Sequence, residues 1–198
     1  MPEIDFTFPH TYEIEEMREL PGAGKPILPI IFFPPPENRP EHDGLWLTVS
    51  AANGRTWIGV FQFGYSAPPA FSRVASSPDP NRFCVIANGA GYVVKAEKPE
   101  AWEKIPVTPV LDVRAVPEQG LLVFSDFTGL AAFDRNGLAW RSPRVCRDGL
   151  KIRNISRESI EGTGCDPTSS RESRFIVDLK TGRSLLRPPL STDGKTVC

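Results

Sequence analysis

Residues Gly120 to Trp140 read GLLVFSDFTGLAAFDRNGLAW. Two apolar runs, LLVFS and LAAFD, end in polar links that contain Asp and Gly, and a third run follows. Segments this short, bounded by residues that favour turns, predict strands joined as β-hairpins and argue against helices. The same text recurs on both sides: WLTVSAANGRTWIGVFQF from Trp46, RFCVIANGAGYVVKA from Arg82, GLKIRNIS from Gly149 and RFIVDLKTGRSL from Arg174. Asn53-Gly54 and Asn136-Gly137 suit type I′ turns, which need φ above zero at both central residues, and Asn88-Gly89-Ala90-Gly91 suits a slightly longer loop. Alternation assigns faces within the runs. Phe175, Val177 and Leu179 are set against Arg174, Ile176 and Asp178, and Val123 and Ser125 against Phe124 and Asp126.

The hairpins are evenly spaced. Gly54, Gly91 and Gly129 stand 37 and then 38 positions apart, and Trp102 and Trp140, like Leu122 and Ile160, differ by 38. That period is the length of a propeller blade. It divides the chain into units over 46–83, 84–121, 122–159 and 160–198. The expected fold is all-β, built of antiparallel hairpin repeats in a small β-propeller-like arrangement, with a β-sandwich or barrel as the architectural alternative. Residues 1–43 read differently, as an irregular Pro-rich arm. TYEIEEMREL, from Thr11 to Leu20, predicts one short helix stopped by Pro21-Gly22, and PILPIIFFPPPENRP predicts an extended edge strand laid on the core through Ile30, Ile31, Phe32 and Phe33. Residues 44–198 then form an all-β domain of about four hairpin units.

The stretches GLAAFDRNGLAW and FIVDLKTGRSL resemble blades of quinoprotein-type propellers, in which an apolar strand ends in Asp, turns at Gly and enters the next strand with an apolar or Trp residue. SAANGRTW is similar to the Asp-box hairpin of sialidase-like propellers at Ser50, Gly54, Thr56 and Trp57, with Ala52 where that motif has its Asp. These resemblances imply a fold and no activity.

Composition sets the other bounds. With 21 prolines and 16 glycines in 198 residues, elements must be short. A formal net charge of -1 gives no global field for nucleic acid or an anionic membrane. The longest apolar run, Ile27 to Phe33, is broken by Pro29 and is far shorter than the roughly 20 residues of a spanning helix. The start MPEIDFTFPH does not read as a signal peptide, so a cytoplasmic protein with reduced thiols is expected. Cys84, Cys146, Cys165 and Cys198 form no CxxC pair, and neither His10 nor His42 stands at ligand spacing from them, so no metal site and no cofactor is expected.

Motifs for catalysis are sparse. PGAGKPIL, with Gly22, Gly24 and Lys25, has Glu19 and Pro26 where a phosphate-binding loop needs Gly and Ser or Thr. There is no GxSxG, and the two histidines lie outside any nucleophile motif. Asp112, Asp126 and Asp134, with Arg114, would serve a hydrolase if two of these carboxylates met in a pocket. Asp126 and Asp134 also suit turn-supporting hydrogen bonds.

Two surfaces are the better candidates for binding. FQFGYSAPPAF carries Phe61, Phe63, Tyr65 and Phe71, which cannot all point into one core and would suit a groove or protein contact. Between Arg135 and Arg157 seven basic residues face only Asp148, for a local net of +6, against -3 over residues 1–99. Trp140 and Arg141 offer a stacking surface there, and Lys151 and Arg153 share one face of a strand. The same charges suit a solvated sheet face that discourages edge pairing. The expected role is non-catalytic binding to a protein partner or to another copy of the chain, with nucleic acid and membrane disfavoured. The alternative is a hydrolase using the hairpin carboxylates.

Overall fold

The computed structural model describes residues 2–17, 28–36, 43–64, 71–166 and 171–185. Among these every regular element is a strand except one 3-10 turn at Pro117–Gln119. The all-β class and the hairpin sheets therefore hold. The chain divides into two units, Met1–Pro109 and Val110–Cys198.

The first unit begins with β1 (Glu3–Asp5), β2 (Tyr12–Glu16), β3 (Ile30–Phe33), β4 (Gly44–Ala51) and β5 (Thr56–Gln62). It continues with β6 (Arg73–Ser76), β7 (Arg82–Ala87), β8 (Ala90–Lys95) and β9 (Trp102–Lys104). Sheet I has the order β2-β4-β5-β3 and sheet II the order β1-β6-β7-β8-β9. The pairings of β1 with β6 and β3 with β5 are parallel, and the others are antiparallel. One core joins the two sheets. Leu45, Leu47, Val49, Trp57 and Phe61 of sheet I close on Phe83, Val85, Tyr92 and Val94 of sheet II. On the other face of sheet II, Cys84, Ile86 and Val93 are buried too. Burial on both faces explains why RFCVIA reads as an unbroken apolar run.

The second unit contains sheet III, a meander of β10 (Asp112–Val116), β11 (Leu121–Ser125), β12 (Leu130–Asp134) and β13 (Gly137–Arg141). Sheet IV follows with β14 (Asp148–Ile155), β15 (Ser159–Asp166) and β16 (Arg171–Asp178). Val123, Leu130, Ala132 and Trp140 pack with Leu150, Ile160, Phe175, Val177 and Leu179. The faces assigned to Phe175, Val177 and Leu179 are thus the buried ones.

Four sequence expectations need correction. The stretch read as a helix contains β2, where buried Tyr12 and Ile14 alternate with exposed Glu13 and Glu15. Its period is two, which is a strand pattern. Leu20 and the Gly22-Gly24-Lys25 motif lie outside the described residues. Next, β1, β2 and β3 place parts of residues 1–43 inside both sheets of the first unit, and the division falls at Pro109 rather than at residue 43. Edge positions accommodate that Pro-rich text, because among the described strands β3 stands at the end of sheet I, and it buries Phe33 in the core. Third, the expected unit boundaries at residues 84, 122 and 160 each fall inside the second strand of a meander, within β7, β11 and β15. β7, β11 and β15 begin at residues 82, 121 and 159, which are 39 and 38 positions apart.

The turns are the fourth correction. Among the described residues Asn88 is the only non-glycine with positive φ, at 46°, and Gly89 follows at 84°. Asn88-Gly89, closing the Ala87–Ala90 pair, is therefore the type I′ turn. Asn53-Gly54 instead ends a three-residue loop. The Gly54 N–H donates to the Ala51 carbonyl at 3.0 Å, and the Ala51 N–H donates to the Arg55 carbonyl at 2.9 Å. That is a type I turn followed by a left-handed glycine, Gly54 at φ 82°. Asn53 Oδ1 accepts from the Arg55 N–H, which gives this loop a side-chain acceptor despite Ala52.

Trp102 and Trp140 are not the equivalent pair. Trp102 packs on the core between sheets I and II, against Phe33 and Tyr92. Trp57 and Trp140 are the matched residues. Each donates its indole N–H over 2.9 Å to a carbonyl 39 residues onward, Ala96 and Leu179 respectively. Gly182 lies flat on the Trp140 ring, where an added Cβ would stand 2.5 Å from a ring carbon.

Candidate functional site

The aromatic stretch splits as its strand ends. Phe61 is fully buried, stacked on Phe33 at 4.7 Å, so it belongs to the core and not to a binding surface. Two residues on, Phe63 is 43% exposed. Tyr65 lies outside the described residues. Phe71 is half-buried, with the Arg73 guanidinium 5.5 Å from the ring centroid.

Phe63 and Phe71 are brought to the same turn. The Gly64 N–H donates to the Ala87 carbonyl at 3.0 Å, and the Gly89 N–H donates to the Phe71 carbonyl at 3.2 Å. Ser72 Oγ accepts from the Asn88 N–H at 3.0 Å. Both chain segments are therefore clamped to the Asn88-Gly89 hairpin. Gly64 is required for the approach, because a Cβ there would lie 2.6 Å from the Ala90 nitrogen. The Tyr92 hydroxyl adds a bond to the Gln62 carbonyl at 2.9 Å. The clamps hold Phe63 and Phe71 on a fixed backbone, which lowers the entropy lost on contact with a ligand.

The basic stretch does not form one patch. Trp140 is buried at 7% exposure and offers no stacking surface, although Arg141 beside it is exposed. Arg144 turns back onto its own loop, donating to the carbonyls of Cys146 and Arg147. Arg157 pairs with Glu118 at 3.1 Å. Arg153 stands 3.9 Å from Glu172 and donates to Thr163 Oγ1 at 3.4 Å. Lys151 is exposed on the same outward face of sheet IV. The sequence reading missed Arg174 on that face, paired with Glu161 at 2.6 Å. The register sets it across Thr163 from Lys151, since Thr163 on the central strand opposes both.

The carboxylates named for a hydrolase are occupied by local structure. Asp126 Oδ1 accepts from the N–H groups of Thr128 and Gly129 at 2.7 and 2.8 Å. Asp134 accepts from the Asn136 N–H, and Asp112 pairs with Arg114 at 2.9 Å. A cleft of about 470 Å³ in the second unit does reach Asp134, together with Arg157, Glu158, Asp178 and Lys180. Asp126 and Asp112 do not line it. Asp178 Oδ1 accepts from the Thr181 N–H and hydroxyl, and the hydroxyl bond leads in holding its carboxyl below the usual range.

His10 is exposed, its ring 4.4 Å from Phe6 and 5.1 Å from Tyr12. Cys84 and Cys146 are buried free thiols. No group of three or more His, Cys, Asp or Glu side chains among the described residues is placed to hold a metal ion. No helix among them is long and apolar enough to cross a membrane.

No family model matches the chain, and no curated protein does. Among solved structures it is similar to hydrazine synthase of Kuenenia stuttgartiensis, at 14% identity and a TM-score of 0.39 over 71% of this chain and 42% of that one. It is also similar to the N-terminal domain of Nup159, at 11% identity and a TM-score of 0.35 over 93% of this chain and 53% of that one. The chain thus spans about half the length of the solved chains it matches.

Proposed function

We propose that the chain is a non-catalytic interaction module of blade-like sheets that contacts a protein partner or another copy of itself. The observation that supports this best is the pair Phe63 and Phe71, clamped on both sides of the Asn88-Gly89 turn. Aromatic side chains on a preorganised backbone are the residue type that supplies binding energy at interfaces. Nucleic acid is set aside, because Arg144, Arg153, Arg157 and Arg174 are held by carbonyls or carboxylates of the chain. The hydrolase reading loses support for a similar reason, since Asp112, Asp126 and Asp134 already brace their own strands and turns.

A photo-crosslinking phenylalanine analogue at position 63 tests the proposal in cells that express the chain, with the same analogue at the exposed Lys180 as reference. A discrete adduct at position 63, absent at position 180 and reduced when Phe71 is also changed to Ser, is the expected result. Equal adducts at both positions would remove the aromatic pair as a site. Turnover of an ester, phosphoester or glycoside that is lost in Asp134→Asn would replace the interaction reading with the hydrolase.

A further inference from the structure

Arg153-Asn154-Ile155-Ser156 sets a basic residue three positions before a serine, with Lys151 two positions further back and no acid among the five residues that precede the hydroxyl. A cation at that spacing is what basophilic serine kinases read, since a carboxylate of the kinase pairs with it while the hydroxyl stands at the catalytic base. Arg-x-x-Ser occurs at one other place in the chain, from Arg73 to Ser76. The fold separates the two. Ser76 is 1% exposed, and its Oγ accepts from the Phe8 N–H at 2.8 Å. Ser156 is exposed in the turn between β14 and β15, and Lys151 and Arg153 are exposed before it. Among the described strands β14 stands at the end of sheet IV, so the residues leading to Ser156 are presented in extended form.

We propose that Ser156 is a phosphoacceptor for a serine kinase that selects basic residues, and that the phosphate draws Arg157 away from Glu118. The γ-phosphoryl group of ATP passes to Ser156 Oγ. The new Oγ–P bond replaces the bond to ADP, and the hydroxyl proton goes to the catalytic carboxylate of the kinase. The bond that Ser156 Oγ donates to the Ser159 carbonyl at 3.2 Å is given up. The donors that remain suit the product. Ser156 Oγ accepts from the N–H groups of Glu158 and Ser159 at 3.2 and 3.0 Å, so two donors already converge where the phosphate forms. Arg157 Nε donates to Glu118 at 3.1 Å, but these side chains are 83% and 69% exposed, so the pair is weak. A phosphate of charge about -2 on the neighbouring residue offers the guanidinium a stronger acceptor. Ser156, Arg157 and Glu118 line one cleft of about 370 Å³, so the phosphate also meets Glu118 as a like charge. Glu118 belongs to the 3-10 turn before β11, and the exchange therefore unties that turn of sheet III from the β14–β15 turn of sheet IV. Arg157 lines the cleft that reaches Asp134 and Asp178 as well, so its movement changes the walls of both clefts.

The folded full-length chain incubated with ATP and a calcium/calmodulin-dependent serine kinase tests the proposal, with the phosphate mapped by peptide mass spectrometry. One phosphate, on Ser156, is expected. Its initial rate of incorporation should fall about tenfold or more in Arg153→Ala, which removes the charge-assisted contact with the kinase. Ser76, with the same spacing, is the internal control and is expected to stay unmodified. In isotopically labelled chain the Arg157 Nε–H resonance, identified by its loss in Arg157→Lys, is expected to shift on phosphorylation. No phosphate on Ser156, an unchanged rate in Arg153→Ala, or equal phosphate on Ser76 and Ser156 overturns the site. A phosphorylated chain in which the Arg157 resonance stays in place overturns the exchange of partners.

Discussion

Trp57 and Trp140 each place an indole N–H on a carbonyl of the sheet against which the ring packs. Their partners, Ala96 and Leu179, have no exposed surface to speak of, so water cannot replace the lost donor. Replacing either tryptophan by Phe keeps much of the apolar area and orphans one buried carbonyl, which costs about 1–3 kcal/mol before any cavity is counted. Urea denaturation of Trp57→Phe and Trp140→Phe is expected to show losses of that size in both. A Trp140→Phe chain as stable as the parent would mean that the dock contributes little. The sequence shows these residues as Trp inside hairpins, but it does not show which face each one takes. That is why Trp102, at the matching interval, looked equivalent. Phe61 and Phe63 repeat the lesson in miniature, because the buried face ends with the strand, between Phe61 and Phe63.

At the scale of elements, turn chemistry is local and so is legible, but only in outline. Asn-Gly dipeptides do mark three hairpins, yet only Asn88-Gly89 joins strands through two residues with both φ values positive. The Asn53-Gly54 loop is one residue longer, a difference set by cross-strand pairing that the dipeptide alone cannot report. Gly89→Ala must hold a Cβ at φ 84°, and Gly54→Ala must do so at 82°. Each is expected to lose about 1–2 kcal/mol by denaturant melting. Gly89→Ala should also loosen the clamp on Phe71, because its N–H is the donor. Retention of parental stability by both variants would show that these backbone conformations are not obligatory. The period-two pattern of YEIEE was in the sequence as well. It was masked by Met17 and Leu20, which complete a helical spacing beyond the end of β2.

At the scale of the whole chain, the class of fold was readable because hairpin signals depend on neighbours, whereas surfaces depend on residues far apart in sequence. The outward face of sheet IV gathers Lys151, Thr163 and Arg174 from three strands, and no single stretch contains it. The same long-range burial fixes how stability responds to pH. Tyr12, Cys84, Tyr92 and Cys146 all have their pKa raised, in each case chiefly by burial. Tyr92 is pushed up to about 12 from 10.0, and Cys146 to about 11 from 9.0. Well below pH 9 these groups are protonated in both folded and unfolded chains and add no pH dependence. Above it the unfolded chain releases protons that the folded chain keeps, so unfolding is favoured as pH rises, by up to about 1.4 kcal/mol per pH unit for each group. On the acid side Glu100 is lowered, first by its hydrogen bond from Arg55, and Asp178 first by that from Thr181, but both lie at the surface and contribute little there. The melting temperature is therefore expected to hold through neutral pH and to fall steeply between about pH 9 and pH 12. Tyr92→Phe removes one of the titrating groups, so its melting temperature should fall less steeply than the parent's above pH 10. A parent chain whose melting temperature is flat to pH 11, or a Tyr92→Phe slope equal to the parent's, would show that these protons are not held by the fold.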